Sequence, residues 1–183
     1  MRPFAFACAG LLAILTAACS ERFDWREVRS PDGYAISLPG RPQTAVREVE
    51  VEGHKIAVSM TSTGIGPALF AVGAARLPAG LASDAAQRER TVAYFRDALV
   101  GNIGGNASAP GVAPLVLPPG SRRVVRVAQQ VQASGTSAGR PVVLAARFFI
   151  IDDQFFQVIA LGGDGGIPPE ALETFFTSFR PHP

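Results

Sequence analysis

The sequence predicts an α+β domain in which an antiparallel sheet is packed against flanking helices. Short segments of alternating or apolar residues follow one another through tight turns, which favours antiparallel pairing. Two other segments, residues 83–103 and residues 168–179, carry apolar side chains at helical spacing. Strands and helices that occupy separate stretches of a chain are typical of α+β domains.

The chain begins with the features of a secretory signal peptide. Arg2 supplies a positive charge, residues 4–15 are mostly apolar, and Thr16-Ala17-Ala18 supplies the small residues of a cleavage site. A retained membrane helix is the alternative, but the apolar run is shorter than the about 20 residues that span a bilayer. We predict an exported protein with three parts: a signal peptide over residues 1–18, a short tether over residues 19–24 and a single domain over residues 25–183.

The end of this signal resembles the lipobox of bacterial lipoproteins. Residues 15–19 read Leu-Thr-Ala-Ala-Cys, although the family usually has its leucine one residue closer to the cysteine. The resemblance implies a lipid on Cys19, and Ser20 after it implies the outer membrane, facing the periplasm. Because Cys8 lies in the signal peptide, Cys19 is the only predicted thiol of the mature chain, which excludes an intramolecular disulfide.

The first strands are predicted from turns and alternation. Ser30-Pro31-Asp32-Gly33 has the chemistry of a turn, and the alternating residues 34–38 that follow predict a half-buried strand. Residues 45–51 and 54–62 alternate loosely around Glu52-Gly53, which predicts a hairpin.

A further strand and a long helix follow. Residues 69–77 predict a strand in which Gly73 indicates a bulge or a close backbone approach. Ser83 or Asp84 can cap the helix after it, and Gly104-Gly105 ends that helix. Its apolar positions lie at helical spacing: Val92, Phe95, Leu99 and Ile103.

The second half continues with a loop, three strands and a short helix. Residues 106–120 are rich in proline and glycine and predict the loop. Strands are predicted over residues 124–133, 141–151 and 154–161, and the middle one is apolar on both faces, as in a central strand that is covered on both sides. Pro168-Pro169 opens the last helix, whose aromatic stripe is expected to pack on the sheet.

Charge and composition exclude several classes of partner and cofactor. The chain has 17 cationic and 15 anionic side chains, a formal net charge of +2, and it loses one cation with the signal peptide. A nearly neutral protein has no field suited to nucleic acid. The two histidines, His54 and His182, lie far apart in the sequence, and no cysteine follows Cys19, so we predict no metal site and no cofactor.

Two segments resemble a family of small bacterial envelope lipoproteins with a PsbP-like fold. Residues 30–40 read Ser-Pro-Asp-Gly-Tyr-Ala-Ile-Ser-Leu-Pro-Gly and resemble the opening of these proteins, and residues 175–180 read Phe-Phe-Thr-Ser-Phe-Arg and resemble their end. The resemblance covers residues 24–181. It implies a sheet flanked by helices and a role in binding or assembling partners rather than catalysis, and it provides no functional residue for this chain.

One motif suggests a hydrolase. Residues 135–139, Gly-Thr-Ser-Ala-Gly, match the nucleophile elbow in which Ser137 would attack a carbonyl. That motif works between a strand and a helix, whereas Arg140-Pro141 and a strand follow here, so a hairpin loop is the alternative. A triad also needs a histidine base, for which only His54 and His182 are present.

Three other clusters have both a functional and a structural interpretation. Asp152 and Asp153 are either an acid–base pair or turn-forming residues. Residues 162–166, Gly-Gly-Asp-Gly-Gly, either hold an anion before a helix or form a plain loop. Arg122, Arg123 and Arg126 form a basic cluster, in which Arg122 and Arg126 share a face. That face either meets anionic lipid headgroups or has a solvated or edge-protecting role.

These observations predict a non-enzymatic, lipid-anchored envelope protein with a binding or assembly role in the periplasm. Its expected contacts are the membrane, through the N-terminal lipid, and an envelope protein partner. The alternative is a carrier or sensor of a small apolar ligand or lipid, which a pocket lined by apolar side chains would favour. A serine hydrolase using Ser137 is the third hypothesis.

Overall fold

The computed structural model describes residues 23–163 and 166–182. The predicted signal peptide and Cys19 lie outside the described residues, as do Asp164 and Gly165 of the glycine-rich segment. In the described ranges, no helix has the length and apolarity needed to span a membrane.

The described residues form eleven strands and three helices. The strands are β1 (Trp25–Ser30), β2 (Tyr34–Pro39), β3 (Gln43–Val51), β4 (His54–Ile65), β5 (Ala68–Arg76), β6 (Asn106–Ala107), β7 (Gly111–Val112), β8 (Val125–Ser137), β9 (Arg140–Ile151), β10 (Gln154–Gly163) and β11 (Arg180–Pro181). The helices are α1 (Ala79–Ala82), α2 (Ala85–Asn102) and α3 (Pro169–Ser178).

The strands are arranged in two antiparallel sheets. The larger one has eight strands in the order β3-β4-β5-β10-β9-β8-β6, with β7 also paired to β8. The smaller one has the order β1-β2-β11, so the last strand of the chain pairs beside the first hairpin. The two sheets pack against each other, since β2 contributes Tyr34, Ile36 and Leu38 to one apolar core with Phe70 and Phe156 of the larger sheet.

The predicted α+β class is therefore wrong, because the described part of the chain is a mainly β sandwich with 53% strand and 20% helix. The strands are longer than the sequence pattern indicated: β8 continues to Ser137 and β9 begins at Arg140, which leaves a two-residue turn. Residues 106–120 contribute two short strands instead of a loop only, and β1 and β11 build a second sheet.

Two apolar cores lie on opposite faces of the larger sheet. Alternate residues of β10 supply both, with Phe155 in the core under α2 and Phe156 in the core under the smaller sheet and α3. Phe155 stacks on Phe95 of α2 with ring centroids 4.3 Å apart. Phe156 meets the rings of Tyr34 and Phe179 edge to face, with centroids 6.0 and 5.5 Å away.

Local signals place the ends of the elements correctly in several cases. Asp84 caps α2, because its side chain accepts a hydrogen bond of 2.8 Å from the backbone N–H of Gln87, which confirms one of the two predicted caps. The predicted hairpin turn at Glu52-Gly53 is also confirmed, and both of its residues have positive φ, the left-handed conformation that two-residue hairpin turns require.

The covering layers are offset toward opposite edges of the larger sheet. On one face α2 packs mainly against β8 and β9, and the part of that face around Arg47, Met60 and Leu69 of β3, β4 and β5 stays open. On the other face α3 and the smaller sheet leave part of β8 and β9 open. Each face therefore carries one cleft beside its helix.

Candidate functional site

The larger cleft, which we call the α2 groove, lies between α2 and the open part of the larger sheet. Its volume is about 600 Å³, which falls within the range of small-ligand sites. Most of its lining is apolar, and β3, β4, β5, β10 and α2 all contribute. The lining includes Arg47, Met60, Leu69, Tyr94, Ala98 and Gln157.

A glycine, Gly73, leaves space for neighbouring side chains at the floor of this groove. Met60, Gly73 and Gln157 are direct neighbours on β4, β5 and β10. A Cβ atom on Gly73 would lie 2.6 Å from Cγ of Gln157 and 2.7 Å from Sδ of Met60. The predicted bulge or close backbone approach at Gly73 is therefore wrong, because β5 pairs regularly there and the nearest atoms belong to side chains. The glycine instead leaves the space that the Gln157 amide occupies.

Gln157 is the one strongly polar group on that floor and it is incompletely bonded. Its side chain is 6% exposed, and Nε2 donates only to the sulfur of Met60, at 3.3 Å. Among the described residues, Oε1 has no hydrogen-bond partner. An unsatisfied buried amide oxygen costs about 1–3 kcal/mol. A polar group at the floor of an apolar pocket can fix the orientation of a ligand, and Oε1 lies just beneath the accessible surface of this floor.

The rim of the groove carries exposed apolar and polar groups together. Leu69 and Tyr94 are 39% and 42% exposed and stand on opposite sides of the opening, on β5 and α2. Arg47 lies on β3 at the edge of the sheet. The groove can therefore accept an apolar body that lies against the Gln157 side chain.

Ser137 does not belong to a catalytic triad in the described residues. It is the last residue of β8 and pairs with Arg140 across the Ala138-Gly139 turn, so the strand-to-helix elbow is not formed. The strand registers place it at one end of the larger sheet, whereas His54 lies at the other end. His182 lies at that other end too, since its backbone N–H donates to Gly33.

The two aspartates of the predicted turn are paired with different arginines. Asp152 accepts a hydrogen bond of 2.9 Å from the backbone N–H of Val124 and one of 3.1 Å from Nε of Arg123. The Val124 bond first, and Arg123 in addition, hold the pKa of Asp152 below its usual range. Asp153 forms an ion pair of 3.1 Å with Arg76. Both carboxylates therefore have structural partners, as expected of turn-forming residues.

The basic cluster divides into two kinds of arginine. Arg122 and Arg126 are exposed, and the ladder between β8 and β9 is irregular around Arg126. Arg123, the third member of the predicted basic cluster, has a side chain only 15% exposed. It donates to the carbonyls of Ile151 and His182 and to the side chain of Gln154. No group of three His, Cys, Asp or Glu residues suited to a metal ion occurs in the described ranges.

Gln157 was missed by the sequence analysis although a signal for it exists. It interrupts an apolar strand that has two phenylalanines before it and Val158-Ile159 after it. A lone amide in a strand buried on both faces needs an explanation, and a glycine directly across from it strengthens the signal. That pairing of Gln157 with Gly73 depends on strand order, which the sequence alone does not supply.

No model of a known protein family matches the chain. No curated protein is significantly similar to it. The resemblance to PsbP-like envelope lipoproteins therefore stays a prediction.

Proposed function

We propose that the protein is a lipid-anchored, non-enzymatic envelope protein that binds a small apolar ligand in the α2 groove. The observation that supports ligand binding is the buried Oε1 of Gln157 at the floor of this apolar groove, which has no hydrogen-bond partner among the described residues. The anchor and the envelope location rest on the signal sequence and its lipobox-like end. The function is that of a carrier or sensor of an apolar molecule that has one hydrogen-bond donor.

The lipid anchor makes a direct prediction about the two cysteines. Cells fed with labelled palmitate should yield a labelled chain, and the Cys19→Ser variant should lose the label and leave the membrane fraction. The reason is that several acyl chains on one residue give firm membrane attachment. Cys8→Ser is the matched control and should keep the label, since Cys8 lies within the predicted signal peptide. Label that persists in Cys19→Ser would contradict the anchor.

The groove makes a prediction about a fluorescent ligand. N-phenyl-1-naphthylamine is an apolar fluorophore with one N–H donor, and its fluorescence should rise saturably with the wild-type chain. Ala98→Trp should weaken this binding at least about tenfold, because Ala98 lines the groove and an indole there fills it. Ala86→Trp is the control, since Ala86 is also exposed on α2 but does not line the groove.

Gln157→Leu tests the polar anchor in the same assay. The substitution removes a buried unsatisfied amide, so the free energy of unfolding should rise by about 1 kcal/mol. Binding of the probe should weaken about tenfold, because one hydrogen bond to the ligand is lost. A residue with a merely structural role would not show this opposite change in stability and affinity. Binding that is equal in all four chains would contradict the ligand proposal.

A protein partner is the second candidate, and the edge strand β3 favours it. Most of β3 is exposed, Val46 is 66% exposed, and β3 has no neighbour on its outer side within the described sheet. An exposed strand edge can pair with an extended segment of another protein. A chain that binds no apolar probe in any variant would leave this assembly role as the better candidate.

A further inference from the structure

The second cleft, which we call the α3 cleft, lies on the opposite face of the larger sheet from the α2 groove. It is about 370 Å³ in volume and opens between β8, β9 and α3. Arg147 of β9 lies directly across from Gln130 of β8, and both line the cleft. Ser108 lies on the same side, and α3 contributes Glu173 and Phe176.

Arg147 is a half-buried cation that has no acidic partner in the part of the chain that the structure describes. Its guanidinium carbon lies 4.6 Å from the centroid of the Phe176 ring. Among the described residues, the one hydrogen bond of its side chain is a long one of 3.4 Å to the carbonyl of Phe176, and no carboxylate lies within ion-pair distance. Partial burial lowers the pKa of Arg147 below its usual value, which reflects the loss of water around the charge.

This arrangement leaves most of the hydrogen-bonding capacity of Arg147 unused. A guanidinium has five N–H donors in a planar fork that matches the two oxygens of a carboxylate. The Phe176 ring packs against one face of the guanidinium, so the N–H edge of the guanidinium is already oriented before a ligand binds. Burying a cation without a partner is unfavourable, and an anion in the cleft would remove that penalty.

We propose that the α3 cleft binds a small organic monocarboxylate, with Arg147 as its bidentate partner. The charge at the site favours one negative charge over two, because Arg147 is the only cation on the lining described and Glu173 adds a carboxylate to it. Gln130 and Ser108 offer neutral donors to substituents of the acid. This site is separate from the α2 groove, and neither proposal depends on the other.

Nuclear magnetic resonance of the full chain, with benzoate as the probe, tests the site. Benzoate should shift the Nε–H signal of Arg147 and the backbone amide signals of Gln130 and Phe176 along one saturable curve. Benzamide, the neutral analogue of the same shape, should leave these signals unmoved. Arg147→Gln should weaken benzoate binding at least about tenfold, as expected when a charged bidentate contact is lost. Arg126→Gln removes an exposed arginine of β8 and should leave the curve unchanged.

Three results would overturn the proposal. Equal shifts with benzoate and benzamide would assign the cleft to aromatic stacking only. Inorganic phosphate that saturates the same signals more tightly than benzoate would contradict the choice of a monocarboxylate. Benzoate binding that survives in Arg147→Gln, with a folded chain by circular dichroism, would place the anion elsewhere.

Discussion

We expect the Phe156→Ala variant to unfold with a free energy about 3–5 kcal/mol lower than that of the wild-type chain. Phe156 is fully buried between the two sheets, where it touches the rings of both Tyr34 and Phe179. Removing it leaves a cavity between β2 and β10 that rigid strands on both sides cannot close. Urea denaturation followed by tryptophan fluorescence measures the change, because Trp25 of the smaller sheet packs against the same core.

Phe155→Ala should be destabilising to a similar extent for a different reason. Its ring lies on the other face of β10 and stacks on Phe95, so the cavity opens under α2. Val116→Ala is the control, since Val116 is 68% exposed, and it should change the free energy of unfolding by less than about 0.5 kcal/mol. A loss below about 1 kcal/mol in Phe156→Ala would contradict the packing of the two sheets described above.

The second large effect is expected at Arg123. Arg123→Ala should lower the free energy of unfolding by about 3 kcal/mol, because it removes hydrogen bonds to four part-buried acceptors. In the native chain these acceptors are an oxygen of Asp152 at 3.1 Å, the Gln154 side chain at 2.5 Å and the carbonyls of Ile151 and His182 at 3.2 and 3.0 Å. Arg123→Lys should recover only part of the loss, since an ammonium cannot reach the same set of acceptors as a fork.

Arg122→Ala is the matched control for this prediction, because the neighbouring arginine is exposed. It should cost less than about 0.5 kcal/mol. An equal loss in the two variants would contradict the bonding assigned to Arg123.

The Arg123 network also predicts how stability depends on pH. The folded pKa of Asp152 lies below its unfolded value, so ionised Asp152 stabilises the fold above about pH 4. This contribution is lost as the pH falls through the folded pKa. Asp152→Asn should therefore flatten the stability curve of the protein below about pH 4 and leave its slope near pH 7 unchanged.

Local signals in the sequence were sufficient to predict many elements but not the fold class. The cap at Asp84 and the turn at Glu52-Gly53 depend on neighbouring residues only, and both predictions are confirmed. The smaller sheet depends on the pairing of β11 with β2, which joins the two ends of the described chain. A two-residue strand such as Arg180–Pro181 is too short to show a periodicity, so no pattern in the sequence predicts it.

The candidate sites were also only partly predictable, because they depend on contacts between distant segments. Gln157 and Arg147 are visible in the sequence as polar residues inside apolar strands, but their surroundings are set by other strands. Gly73 makes room for Gln157 only because β5 pairs with β10, and Arg147 meets Phe176 only because α3 lies over β9. The sequence pattern indicated Ser137 and Asp152 as candidate site residues instead. Both belong to short local motifs, which a sequence shows directly, whereas a contact between distant segments depends on the fold.

The position of β10 between β5 and β9 has a consequence for how quickly the chain folds. Its partners on β5 lie about 80 to 90 positions earlier in the sequence, and such non-local pairing slows the search for the native topology. Neither core is complete until β10 has docked, because it supplies side chains to both faces. We therefore expect the domain to refold in milliseconds to seconds rather than microseconds, with both cores forming in one kinetic phase.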